Sequence, residues 1–491
     1  MSSRIEQRDR WLIVGLVLLA LVVRLPGLNT GLWADEIYST LYAFRTAFPA
    51  QFFEFHGDNK HPFYSVMARV SIALLGESPW TLRLPALLFG VASVPMLFAL
   101  GRRITTRREA GFAALLLAVS YHHAWFSQNA RGYSVLGFCA VTSTWLLLRI
   151  LDEGHRRDAI AFAVCIAFGA YTHLTFVFAV FAQFIVAVWV LVRERANPVT
   201  RPRATTAVLA FFGGGLLAAA MYAPMAERVI NFFLHKESFL AGVSSPAWAA
   251  AEAVRVLLVG LSGGSTMVAA LGMVILAGAA AVGLAGAVSY LRREPRVAGL
   301  LLLPALTMLA GAFASRGTMY PRFFFLLAGF ALLVGVRGVI LTAELVARLA
   351  GKTALGPTLA AGVLLVAALG SAATLPRNWR LPKQDYEGAL RFVEGELARE
   401  GGSIATADMT TEIYGRYFTR SWHDVRDVAT LENLRKSGPV WFVYTFPRYL
   451  ARYDATLAAW VERECRAARA FPGTVGGGDV LVCTLKATPT A

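Results

Sequence analysis

Apolar stretches of about 17–25 residues recur along the first three quarters of the chain, each long enough to cross the ~30 Å hydrocarbon core of a bilayer. Short arginine clusters separate them. The first stretch predicts a helix over about 11–28, and others follow at about 82–100, 109–126 and 133–150. A helical hairpin is expected over about 159–192. Five further helices fit about 205–225, 266–290, 298–315, 322–345 and 355–375. Threading these helices back and forth puts Arg102, Arg103, Arg107 and Arg108 on the same side as Arg156, Arg157, Arg193, Arg195, Arg201, Arg203, Arg292, Arg293 and Arg296. Cytoplasmic loops carry the excess of Lys and Arg, so that side and the N-terminus are assigned inside, with about eleven spans. The first apolar stretch is too long for the core of a secretory signal, and no small-residue cleavage site follows, so it reads as a retained helix. Arg24, near its outer end, is expected to snorkel to the interface.

From Pro376 the pattern changes. A helical period over Tyr386–Leu397 is followed by three strand-like runs, SIATA, PVWFVYTF and DVLVCTL. They predict a small α/β domain over 376–491, outside the membrane, after a transmembrane domain over 1–375 that includes a long outer loop at 29–81. Cys465 and Cys483 in the outer domain fit either a disulfide or two separate buried thiols. Cys139 and Cys165 fall inside helices and read as packing residues. No CxxC or His-rich spacing occurs, so no metal site and no cofactor are expected.

Composition agrees with the pattern. Of 491 residues, 56% are hydrophobic and 16% charged, where a soluble domain carries about 25% charge; the mean hydropathy is +0.54. The net charge of +16 would suit nucleic acid, but the basic residues sit between apolar runs, which excludes that class.

The outer loops hold the candidate chemistry. GLWADEIYSTLYA, Gly31–Ala43, places Asp35, Glu36 and Tyr38 just beyond the first helix. Ile37, Leu41 and Phe44 follow at helical spacing, which predicts an amphipathic helix on the outer membrane surface. Lys60, His61 and Pro62 form a basic turn, with Pro62 suited to open a helix and Tyr64 close behind. An acid near hydrocarbon is costly unless paired or functional; an interfacial Asp35–Lys60 salt bridge is the structural reading. Other outer helix ends bring more cations beside aromatics: Arg83 in WTLRLP, Asn129, Arg131 and Tyr133 in SQNARGY, His173 in YTHLT, and Arg316, Tyr320 and Arg322 in RGTMYPRFF. Arg83 taken alone also suits a snorkelling anchor. Together, a basic cluster with one acid pair at the lipid boundary suits an anionic lipid phosphate, because Arg forks grip phosphate oxygens bidentately.

The ordered set GLWADEIYS, KHPFY, WTLRLPALLFG, FSQNARGYSVL, YTHLT and YPRFF resembles the GT-C glycosyltransferases. It is similar to their bacterial branch of protein O-mannosyltransferases and lipid A aminoarabinose transferases, over about residues 10–345. The resemblance implies a GT-C fold in the bacterial cytoplasmic membrane and an inverting transfer from a polyprenyl-phosphate sugar to a lipid, glycan or protein acceptor. It implies that Asp35 is the general base and that Glu36 orients the site or holds the acceptor. Lys60, His61, Arg131 and Arg322 would bind the donor phosphate, with Tyr38, Tyr64, Arg83, Asn129, Tyr133, His173 and Tyr320 lining the cavity. Three positions depart from the pattern: Tyr38 stands where the aminoarabinose branch often has Arg, Asn129 where many relatives have Glu, and the His61–Pro62–Phe63 turn keeps one of two prolines. A lipid transporter or flippase is the alternative; it predicts midplane charges and repeated broken helices, whereas the charges here lie mostly at helix ends. A non-catalytic scaffold leaves the acid pair and its basic neighbours unexplained. The aromatic-basic stretch Glu412–Trp422 suits contacts to sugar and phosphate, or an ordinary amphipathic helix face.

Overall fold

The computed structural model describes residues 2–55, 57, 60–235, 266–315, 320–465 and 468–488. Arg316 and residues 236–265 of the outer segment expected after the seventh helix lie outside the described residues. The chain is a polytopic α-helical membrane protein with a small C-terminal sheet. It divides into two compact units, the first built from Met1–Leu25, Phe48–Ala68 and Arg83–Leu375, the second from Pro26–Ala47, Arg69–Leu82 and Pro376–Ala491.

The long helices, most of them in the first unit, fall where the apolar runs are. Ser2–Val22, Pro79–Ile104, Tyr133–Glu153, Arg156–Thr172, Phe176–Arg193, Thr200–Tyr222, Thr266–Arg293, Pro295–Ser315, Ala328–Leu349 and Gly356–Arg380 follow the expected order. Among the described residues, seven helices are long and apolar enough to cross a membrane. The helix expected over 109–126 is two helices, Arg107–Ala118 and Tyr121–Ser127. Ser120 starts the second by accepting the His123 N–H at 3.2 Å, an N-cap inside an otherwise continuous apolar run. The arginine clusters gather at one end: Arg103 and Arg296 both pair with Asp152, at 3.0 and 2.6 Å, and Arg203 donates to its carbonyl.

Arg24 does not snorkel. Its side chain is 0% exposed. Nη1 donates to the carbonyls of Ala20 and Ala118 at 2.8 Å, and Nε to Ser127 Oγ at 3.1 Å. Nη2 contacts the Leu117 carbonyl and His123 Nδ1. The last carbonyls of Arg107–Ala118 are the negative end of that helix, so they hold the guanidinium where water is excluded. Hydropathy read the position of this arginine as a boundary; the tertiary fold supplies acceptors there.

The second unit contains a five-stranded sheet in the order β2-β1-β3-β5-β4. The strands are β1 Ser403–Thr406, β2 His423–Asp424, β3 Val440–Thr445, β4 Ala468–Phe471 and β5 Val480–Leu485. β1 pairs in parallel with β2 and β3, while β5 runs antiparallel to β3 and β4. The three expected runs are β1, β3 and β5; the short edge strands β2 and β4 carry too few residues for a period. Val440, Phe442, Leu457, Trp460 and Cys483 form the core. Cys483 is bonded to Cys465, with Cα atoms 5.5 Å apart, which resolves the alternative left open by the sequence. The segment after Trp33 forms a short α-helix, Ala34–Ser39, continued by a π-helix over Thr40–Phe44. Its apolar residues Ile37 and Phe44 are covered by protein, not laid on lipid. Amphipathic spacing marks a face that must be covered and does not specify by what.

Candidate active site

The cation-rich helix ends of the first unit converge. Pro62 opens the helix Pro62–Leu75 and leaves His61 at the end of the preceding loop. His61 Nδ1 accepts the Gly132 N–H at 3.0 Å, so the proton of the neutral ring sits on Nε2. Among the described residues that buried Nε2 has no hydrogen-bond partner. Burial holds the imidazole well below its ordinary pKa, helped by Arg131, His173 and Arg322. The His61 ring lies 4.9 Å from His173 and 5.1 Å from Tyr133. His173 contacts Phe323 at 5.2 Å, and the Arg322 guanidinium lies 4.4 Å from the centre of the Tyr320 ring. Four motifs separated along the chain, KHPFY, NARGY, YTHLT and YPRFF, thus meet around one imidazole.

Gly132 makes this possible. A Cβ there would lie 2.6 Å from His61 Nδ1 and 2.4 Å from Thr172 Cγ2. Sequence reading singled out its neighbours Arg131 and Tyr133 and missed the glycine, whose only signal is its place between them. Lys60 is buried beside this turn. Its ammonium donates to the Gln51 carbonyl at 2.8 Å and to the Glu54 carbonyl. Burial, with a smaller contribution from Arg228, lowers its pKa to about 8, against the pull of Glu54. Tyr64, Asn129 and Arg83 are all fully buried in the first unit. Arg83, at 0% exposure, does not extend to a surface as a snorkelling anchor would.

The acid pair belongs to the second unit. Asp35 is partly exposed in the first turn of Ala34–Ser39, and Glu36 is buried. Glu36 Oε2 accepts the Trp33 N–H at 3.3 Å, turning back to cap its own helix. The helix start is tied to the sheet by a residue that sequence reading missed. Gln384 Oε1 accepts the Ala34 N–H at 2.9 Å, while its Nε2 donates to Gly478 O at 2.8 Å and Thr445 Oγ1 at 3.2 Å. A lone Gln in a polar stretch carries no sequence signal for this. Tyr386 feels the charge of Asp35, though burial is the main cause of its raised pKa. At Tyr38, burial first, then Glu412 and Asp408, push the phenol pKa up.

Residues 59–234 match the family described as dolichyl-phosphate-mannose-protein mannosyltransferase. No curated protein matches the chain by sequence. Among solved structures it is similar to ArnT from Cupriavidus metallidurans in the apo state, with TM-score 0.53 and 14% identity over 98% of each chain. The same protein bound to undecaprenyl phosphate gives TM-score 0.54 and 15% identity over 96% of this chain and 97% of that one. The archaeal oligosaccharyltransferase AglB from Archaeoglobus fulgidus, in complex with an inhibitory peptide and a dolichol-phosphate, gives 0.53 and 12% over 97% and 74%. At such identities the likeness is one of fold, and the fold is that of the GT-C glycosyltransferases.

Proposed function

We propose that the protein is an inverting glycosyltransferase that moves a sugar from a polyprenyl phosphate to an acceptor hydroxyl at the outer face of the bacterial cytoplasmic membrane. Asp35 takes the proton of the acceptor hydroxyl. The acceptor oxygen forms its bond to the anomeric carbon as the bond from that carbon to the phosphate oxygen breaks. The departing electron pair stays on the phosphate, whose charge is met by Arg131, Arg322, Lys60 and the Nε2–H of His61. Glu36 and Gln384 act through position, by holding the start of the helix that carries Asp35.

The observation that carries this reading is the meeting of four distant basic-aromatic motifs around His61, with a buried Nε2–H among cations. Like charges gathered in a buried place repel one another and lose hydration, so such a cluster suits a bound anion. The polyprenyl phosphates held by the similar folds support the choice of anion.

The test is a mass-spectrometric transfer assay with purified protein in lipid, offered a panel of polyprenyl-phosphate sugars and a membrane extract. Asp35→Asn keeps the volume and removes the base. It is expected to lower transfer by about 10²–10⁴-fold with donor binding retained. Unchanged transfer in this variant would remove Asp35 from the mechanism.

A further inference from the structure

The second unit contains a cavity of about 610 Å3, and Glu412 and Arg416 of its wall come from the aromatic-basic stretch Glu412–Trp422. Its wall includes Tyr38, Asp408, Glu412, Arg416, Asp424 and Tyr453. The groups on this wall are fixed by one another. Asp424 accepts from Thr411 Oγ1 and from Arg426 Nε, each at 3.0 Å. Arg416 lies 3.7 Å from Glu412 and donates to the Tyr42 hydroxyl at 2.9 Å. Asp408 has φ 52° and ψ −127°, a backbone conformation that residues with a Cβ rarely adopt. Its side chain does not cap the helix Met409–Glu412 that it precedes. A strained carboxylate with no capping duty, at the edge of a cavity, has the form of a residue kept for a ligand.

The chemistry of the wall selects the ligand. Carboxylates, guanidiniums, phenols and the Thr411 hydroxyl alternate around it, and Met409 is its only aliphatic side chain among the described residues. An acyl chain would strip water from these groups and return no hydrogen bonds. A phosphate would face three carboxylates. A peptide adding to the sheet would need a longer edge than β2, which has two residues. Sugar hydroxyls both donate and accept, so they satisfy carboxylates and guanidiniums together, and a sugar ring can lie on a phenol face. Tyr38 lies three residues after Asp35 on the same helix, a rise of about 4.5 Å.

We infer that this cavity is a carbohydrate site and that the acceptor of the proposed transfer is a glycan. Asp408, Glu412 and Asp424 hold its hydroxyls, Tyr38 and Tyr453 its ring faces, and the reacting hydroxyl meets Asp35 one helical turn away. The link to transfer rests on the glycosyltransferase reading; the carbohydrate site itself does not.

The experiment uses the full chain in nanodiscs and saturation-transfer NMR. The probe is a pool of oligosaccharides released from the cell envelope by mild acid and freed of lipid. Wild type is expected to bind, and Asp424→Asn to bind about tenfold more weakly through loss of a charged acceptor. Asp408→Gly is expected to bind about tenfold more weakly as well, yet to unfold at a higher temperature because the strain is relieved. No binding by wild type, equal binding by both variants, or binding of a Ser/Thr-containing peptide in place of the oligosaccharide overturns the inference. Hydrolysis of a polyprenyl-phosphate sugar, compared between wild type and Asp35→Asn, reads the transferase proposal separately. Oligosaccharide binding without turnover keeps the site and sinks the transferase; turnover without oligosaccharide binding does the reverse.

Discussion

Two groups of charged residues, one in each unit, are held in opposite ways. In the first, Arg24, Lys60 and His61 are buried, and their recorded partners are mostly backbone: the carbonyls of Ala20, Leu117 and Ala118 for Arg24, those of Gln51 and Glu54 for Lys60, and the N–H of Gly132 for His61. In the second, half-exposed side chains pair with side chains, as in Arg45 with Glu77 at 2.7 Å, Arg416 with Glu412, and Arg426 with Asp424. Backbone cannot be repositioned cheaply, so the first arrangement suits one ligand group in one geometry. Exposed pairs contribute about 0–1 kcal/mol each, so the second arrangement can exchange a partner for a ligand hydroxyl at small cost. A phosphate common to all donors and an acceptor with many hydroxyls would call for this division.

That contrast can be broken at several points. The largest effect is expected from Asp35→Asn, which should lower transfer by about 10²–10⁴-fold while leaving intact the cluster of the first unit proposed to bind phosphate; a loss of donor binding in this variant would join the two functions that the comparison separates. Next in size is Cys465→Ser. The 18-residue separation of the bonded cysteines corresponds to about 3 kcal/mol in the chain-entropy treatment. Calorimetry should show a destabilised second unit, with donor binding unchanged at temperatures below its unfolding. Third, Lys60→Ala and Arg322→Ala should each weaken binding of a polyprenyl-phosphate analogue by about 10–100-fold, the worth of a hydrogen bond to a charged group, and should disturb binding more than folding. Wild-type affinity in both variants would remove them from the phosphate site.

The smallest effect is the dependence on pH. Lys60 is charged below about 8 and loses its proton as pH rises through that value. Donor affinity should therefore fall above about pH 8, by at most about tenfold per pH unit for one proton, and Lys60→Arg should flatten the profile. Stability moves the other way. The folded pKa lies below the ordinary lysine value of 10.5, so the unfolded chain binds more protons between about 8 and 10.5, and folding gains as pH rises through that window. A titration in which affinity and stability fall together would contradict the assignment.

Much of this architecture was legible beforehand, for identifiable reasons. The length of an apolar run and the position of an arginine cluster are local properties, and the helices Tyr133–Glu153, Phe176–Arg193 and Gly356–Arg380 follow them closely. The misreadings share a cause. Arg24 and the face of Ile37 and Phe44 were assigned to the lipid boundary because hydropathy reports that a group must be covered or solvated, and not which neighbour does it. The acid pair and the basic motifs were visible as residue types out of place in an apolar chain.

The sequence by itself determined the membrane class, the order of the helices, the strands β1, β3 and β5, and the identity of the unusual charges, because each depends on residues close together in the chain. Only the tertiary structure decided that His61 is seated by the backbone of a residue 71 positions away, and that the Asp35 helix begins on a glutamine 350 positions away. Hydrogen bonds of that span leave no periodic trace in sequence. They exist because a buried polar group must find a partner, and folding determines which one is within reach.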